Sequence, residues 1–218
     1  MAARIPLPNG SIFQIAATFG VEKLISAISN ANPGVATAAT NGLADGDVIL
    51  VQSGWGRLDG RASRVTDADT DGFTFENINT TNPIFYSAGG GAGSFQEVLT
   101  WAEITKITGV TTSGGEQQFL TVGYLAEDDD RQFPTNRNPM SMSITVEDQP
   151  EAPYVAVVEG FNDSKVQTVA RLTLPNGDQI VYPGYVSITD TPTLERNQLM
   201  TRTVTFSMSG RPVRYLAA

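Results

Sequence analysis

Between Leu174 and Pro212 the chain alternates turn signals with two-residue periodicity, a combination that admits little besides antiparallel β structure. Leu174-Pro175-Asn176-Gly177 sets Asn-Gly between apolar runs, the strongest short-range hairpin signal. Pro183-Gly184 predicts a second turn, and Thr201-Arg202-Thr203-Val204 opens a long strand ending at Gly210-Arg211-Pro212. In that strand Met200, Val204, Phe206 and Met208 share a face with Arg202, while Thr201, Thr203, Thr205 and Ser207 share the other. Met140 to Val146 repeats the pattern, with Met140, Met142, Ile144 and Val146 opposite Ser141, Ser143 and Thr145. Each strand thus offers an apolar face and an uncharged hydroxyl face. Arg202 breaks the apolar one: a guanidinium there needs a carboxylate partner or an interface, or else snorkels at a sheet edge.

The rest of the chain reads mainly as β too. Ile12 to Phe19, Leu24 to Ser29, Val35 to Thr40, Val48 to Gln52, Arg61 to Thr66 and Phe73 to Glu76 are short strands, with turn signals roughly every 8 to 12 residues, as in a small sandwich or barrel. Gly89 to Ser94 reads as a linker or loop tip, so a boundary falls there. Beyond it, Val98 to Ile107 and Gln117 to Tyr124 are strands, and Leu125 to Pro139 is a long polar loop of the kind that is usually functional or disordered. Asp148 to Glu159 is the one helix candidate, with Asp148 as N-cap and Pro153 tolerable only in the first turn. Tyr154 to Val158 fits a strand equally well. Pro6 and Pro8 make Met1 to Ser11 an extended arm.

The 218 residues suffice for one large β domain or two small ones. The chain has neither cysteine nor histidine, which removes disulfides, thiolate and imidazole metal ligands and the commonest nucleophile–base pairs. A net charge of −9 is the wrong sign for gripping phosphate backbones, yet suits a surface past which nucleic acid slides. No apolar run is long enough to span a bilayer, and the early prolines argue against a cleaved signal. The dense carboxylates, Glu127-Asp128-Asp129-Asp130 and Asp67, Asp69 and Asp71, lack the ligand spacing of a calcium loop. They read as solvated loops. Trp55 and Trp101 are core or interface residues before they are a sugar platform. No catalytic, cofactor or metal site is expected, and the chain is not expected to be an enzyme.

The segment Lys23 to Thr81, through Ile28-Ser29-Asn30-Ala31-Asn32-Pro33, Gly46-Asp47, Ser53-Gly54-Trp55, Leu58-Asp59-Gly60-Arg61 and Phe73 to Thr81, resembles a small all-β module that recurs in phage structural proteins. From Trp101-Ala102-Glu103-Ile104 onward, the order Tyr124-Leu125 and acidic loop, Met140 to Val146 strand, short helix, Pro175-Asn176-Gly177, Gly184-Tyr185-Val186-Ser187 and Thr201 to Pro212 resembles the major tail tube proteins of lambda-like, long-tailed bacteriophages. The resemblance implies a β-sandwich or barrel flanked by a helix, six copies to a ring, and stacked rings forming a channel for the genome. It also implies divisions at 1–22 (arm and first tube strand), 23–94 (inserted β-barrel-like module and linker) and 95–218 (tube domain). The module's position near the N-terminus departs from lambda's pattern.

Under that resemblance Ser141, Ser143, Thr145, Thr201, Thr203, Thr205 and Ser207 face the lumen. Arg4, Glu127, Asp128, Asp129, Asp130, Arg131, Arg137, Arg202 and Arg211 contact neighbouring subunits or rings. The implied partners are other copies, the tape measure protein, and tail terminator and distal tail proteins. DNA passes without specific binding, and the protein resides in the virion tail after assembly in the host cytoplasm. The rival expectation is a monomeric β-rich binding or decoration module, for carbohydrate or a virion surface, with Trp55 and Trp101 facing solvent.

Overall fold

A computed structural model describes residues 9–126 and 128–217. In chain order its elements are β1 (Ile12–Phe19), β2 (Lys23–Ile25), β3 (Ala27–Ile28), β4 (Val35–Thr37), β5 (Val48–Ser53), β6 (Arg61–Thr66), β7 (Gly72–Phe75), β8 (Gly93–Ile104), β9 (Ile107–Ser113), β10 (Gln117–Val122), β11 (Arg131–Arg137), β12 (Ser141–Glu147), α1 (Pro153–Ser164), β13 (Thr168–Thr173), β14 (Gln179–Ile188), β15 (Thr201–Met208) and β16 (Val213–Tyr215). The fold is mainly β with one short helix, as expected. Fourteen strands form one antiparallel sheet in the order β3-β4-β7-β6-β5-β8-β1-β13-β14-β15-β12-β9, with β16 on β14 and β2 on β8, while β10 and β11 pair separately.

Three hydrophobic cores lie along this sheet. Phe13, Ile15, Ile104, Ile144, Ala170, Val186 and Phe206, from strands β1, β8 and β12 to β15, meet Tyr154, Val155 and Val158 of α1 in the first. The second is enclosed by β2 to β7 and the start of β8, with Trp55, Phe73, Phe75 and Phe95 at its centre. The third, containing Ala16, Val48, Leu50, Ala62, Val98, Val169, Val181 and Tyr215, is the seam between them. Strand β5 explains how two layers join: Ile49 and Val51 point into the second core, Val48 and Leu50 into the seam. A strand buried on both faces loses polar alternation and reads as a continuous apolar run, as Val48-Ile49-Leu50-Val51 does.

The residues 89–94 are not a loose linker. Gly93 and Ser94 already belong to β8, which pairs with β5 and β2 over Gly93–Glu97 and then with β1 over Val98–Ile104. A Cβ on Gly91 would meet the Trp55 ring at 2.9 Å, so glycine there is a packing requirement. The strand expected to run to Ile107 ends at Ile104, where Lys106 takes a left-handed conformation (φ 54°) and Ile107 begins β9.

The second expected turn is also absent, since β14 runs straight through Pro183-Gly184. One edge of β14 passes from β16, at Gln179–Val181, to β15, at Gly184–Ile188. The Pro183 carbonyl faces that edge and accepts from Ser209 N–H (3.0 Å). Proline's missing N–H therefore falls in the gap between two partners and costs no ladder bond. The helix begins five residues later than expected, with Pro153 in its first turn and Ala152 as an N-cap that makes no side-chain bond. Asp148 is no cap: its N–H is taken by Met200 O (2.9 Å), which prolongs the β12–β15 ladder.

The Asn-Gly hairpin forms as read, and its turn anchors the chain's last strand. Asp178 accepts from Arg214 Nη2 (2.5 Å) and Nε (2.9 Å) and from Ala217 N–H (3.0 Å). The Ala217 bond, then Arg214, then Asn176 hold its carboxyl below the usual aspartate range. A depressed carboxylate stabilises the fold fully above the unfolded value, near pH 4, and loses that contribution as pH falls through the folded one. Asp178→Asn should therefore flatten the acid side of the stability profile, measured by urea unfolding between about pH 2 and 7.

Candidate assembly surface

The seven hydroxyl residues singled out in sequence lie on one face of β12 and β15. Register places Ser141 opposite Ser207, Ser143 opposite Thr205, and Thr145 opposite Thr203. The structure widens that face on both sides with residues the sequence reading missed. Across β9, β12, β15 and β14 the row Thr111, Ser143, Thr205, Ser187 is continuous, as is Ser113, Ser141, Ser207, Tyr185. Ser113 and Ser141 share a hydrogen bond of 2.8 Å. The missed signal was Gly109, Thr111 and Ser113, an alternation that small residues render faint. The reverse face carries Met142, Ile144, Val146, Val204 and Phe206 into the first core. Charge enters the hydroxyl face at its rim, where Glu147 stands 3.9 Å from Lys106.

Arg202 resolves within the chain. Its side chain is buried, Nε donates to Thr189 O (2.8 Å), and Nη2 reaches Glu159 of α1 at 3.4 Å. A carboxylate partner, one of the two solutions expected, thus ties the helix to β15. Arg202→Ala should cost about 1–3 kcal/mol by removing a buried, packed side chain and its hydrogen bonds to Thr189 O and Glu159. Glu159→Gln should cost less than about 1 kcal/mol, because Glu159 is 49% exposed. Urea unfolding of the two variants measures the difference.

The expected polar loop Leu125 to Pro139 is corrected more substantially, because Arg131–Arg137 is strand β11, paired with β10. Leu120 stands opposite Phe133, and Phe119 opposite Pro134. The hairpin prolongs the β9–β12 pair. Gly115 N–H bonds Asn138 O (3.1 Å) and Asn138 N–H bonds Glu116 O (3.0 Å), while a bend at Gly114 (φ +80°) brings the backbone so close that a Cβ would collide with Pro139 O. The arm this makes is exposed almost throughout. Phe119 and Leu120 are each 55% exposed and Phe133 45%, and since neighbouring positions alternate, the apolar groups point to both sides. A two-stranded hairpin in water is marginal by itself. This one holds three half-exposed apolar side chains, Phe119, Leu120 and Phe133.

Of the other residues expected at contacts, Asp128, Asp129, Asp130 and Arg131 lie exposed at or beside the arm's tip and Arg137 at its base, with Arg211 across a cavity from Arg137. Arg4 and Glu127 lie outside the described residues, as does most of the Met1 to Ser11 arm. In the other acidic ladder Asp69 closes a turn, accepting from the N–H groups of Asp71 and Gly72, and Asp45, outside the ladder, accepts from Ala68 N–H. Trp55 is buried, its Nε1 donating to Ser87 O (2.9 Å), and Trp101 is half-buried beneath Arg171, 4.2 Å from its ring. Neither forms an open sugar platform. Among the described residues no helix is long and apolar enough to cross a membrane.

A family model described as phage tail tube protein matches residues 53–217. The chain belongs to the phage tail tube protein family. Membership makes this tail tube protein a structural component of a phage virion tail, one whose kind self-assembles into a tube. The match takes in every strand from β6 onward and begins inside the stretch 23–94 expected as an insertion. A search of curated proteins finds no match.

Proposed function

We propose that this tail tube protein forms six-membered rings whose stack is the channel through which the genome is delivered. In this reading the hydroxyl face of β9, β12, β15 and β14 lines the bore, and the tape measure protein occupies it before ejection. Tail terminator and distal tail proteins meet the tube's ends, and assembly takes place in the host cytoplasm. Residues 1–22 and 95–218 supply the tube, and 23–94 an outer module. The observation that carries the reading is the arm β10–β11, a hairpin with apolar side chains on both sides that needs neighbouring copies to cover it. Two further features support it. Among the described residues strand β9 ends the sheet, where a neighbour can extend it, and the hydroxyl face is wettable without cations that would hold phosphate.

Electron microscopy of concentrated protein tests the reading: rings or tubes with a central passage are expected, and a monomer at every concentration, also with the tape measure protein present, counts against it. Thr203→Lys with Thr205→Lys should leave the tubes intact but make them retain duplex DNA. That retention should weaken steeply with salt, as counterion release requires. Tubes that stay indifferent to DNA would move the hydroxyl face away from the bore.

A further inference from the structure

Three of the chain's 14 cationic residues converge on one cavity of about 520 Å³, where the base of the arm meets the end of β15 and a turn before β6. Arg137 comes from the arm, Arg211 from the Gly210-Arg211-Pro212 segment, and Arg57 from the turn. Elsewhere Arg64, Arg202 and Arg214 are answered by Glu76, Glu159 and Asp178. Among the described residues no carboxylate lies within ion-pair distance of Arg57, Arg137 or Arg211. Two of the three are nonetheless held in place: the Arg57 guanidinium lies 3.2 Å from the centre of the Phe85 ring, and Arg137 Nε donates to Gln117 Oε1 at 3.4 Å. Guanidinium forks so placed are donors awaiting carboxylates, which they bind in pairs of parallel hydrogen bonds.

We propose that this cavity is a socket for the acidic tip of a second copy's arm, with Asp128, Asp129 and Asp130 as the inserted charges. The inference rests on the tube reading and names the contact by which copies join. The tip cannot serve its own socket: it sits at the far end of β10–β11, and a seven-residue strand at roughly 3.3 Å per residue separates them by about 20 Å. The contact is therefore between molecules, and since tip and socket are different surfaces it is head-to-tail, the arrangement that generates rings or polar filaments. Nucleic acid is the poorer occupant, because a chain of net charge −9 repels a phosphate backbone before a cluster of three arginines can engage it.

The absence of cysteine gives a clean test. Ala126→Cys labels the tip and Asn136→Cys the socket, and both leave every charge in place. Mixed and gently oxidised, the two variants should cross-link to each other on the order of tenfold more than either does alone. Arg137→Glu with Arg211→Glu in the socket partner should abolish that excess. Restoration is expected when the tip partner carries Asp128→Arg, Asp129→Arg and Asp130→Arg. A mixture that cross-links no more than the single variants overturns the socket, as does cross-linking indifferent to the charge reversals. Microscopy of the unaltered protein separates the two readings: tubes without the cross-link overturn the socket alone, whereas neither tubes nor cross-link overturns both.

Discussion

Replacing Gln117–Arg137 by a two-residue Gly-Ser link is expected to yield a folded monomer that no longer self-associates. The cut is local, because Glu116 and Asn138 already face each other through the Asn138 N–H to Glu116 O bond, so a tight turn closes it. The removed residues contribute little to any of the three cores, and the melting temperature should move by no more than about 2 °C. Association should fall far more. Burying a fully exposed Phe or Leu side chain is worth roughly 1.5–3 kcal/mol, and about half of Phe119, Leu120 and Phe133 is exposed, so losing the three removes about 2–4 kcal/mol. That is a weakening of roughly 30- to 700-fold at 1.4 kcal/mol per decade. Analytical ultracentrifugation beside calorimetry reads both quantities, and unchanged sedimentation would mean the arm is not where copies meet.

The second large effect separates the two faces of β15. Phe206 is 1% exposed and lies in register with Met142 on one side and Val186 on the other, deep in the core beneath α1. Phe206→Ala should cost about 3–5 kcal/mol, transfer and cavity terms together. Its neighbour Thr205 points the other way, into the hydroxyl row, and Thr205→Ser should stay within about 0.5 kcal/mol. Urea midpoints of the pair measure the contrast. Equal midpoints would mean that the faces of the strand have been assigned the wrong way round.

Sequence disclosed the strands wherever one face meets a core and the other meets water. Residues 141–147 and 201–208 emerge from alternation and 12–19 and 61–66 from the turn signals around them, with little error at their ends. Alternation failed where the physics is not side-chain burial. Strand β11 contains Arg131, Gln132, Pro134, Thr135, Asn136 and Arg137, a composition that reads as loop, and it is a strand because β10 supplies a backbone ladder. The start of α1 was missed because a plausible cap, Asp148, is held by Met200 just ahead of β15, leaving Pro153 to open the helix unaided. Pro183 misled because its missing N–H falls opposite a gap that only the completed sheet reveals.

The assembly residues divide along the same line. The hydroxyl rows of β12 and β15 were readable, since a chain rarely places so many Ser and Thr at every second position without one surface to serve. Their continuation into β9 and β14 was not, because register across strands is tertiary information. Arg202 could be marked as needing a partner, whereas Glu159 could not be named, being 43 residues away on an element whose boundaries were in doubt. The convergence of Arg57, Arg137 and Arg211 is invisible in one dimension.

Strand β8 runs uninterrupted from the second core into the first, twelve residues without a hinge. Force applied to the body around the second core is thus delivered along peptide bonds and in shear across the ladders that β8 shares with β5, β2 and β1, the direction in which many hydrogen bonds share a load at once.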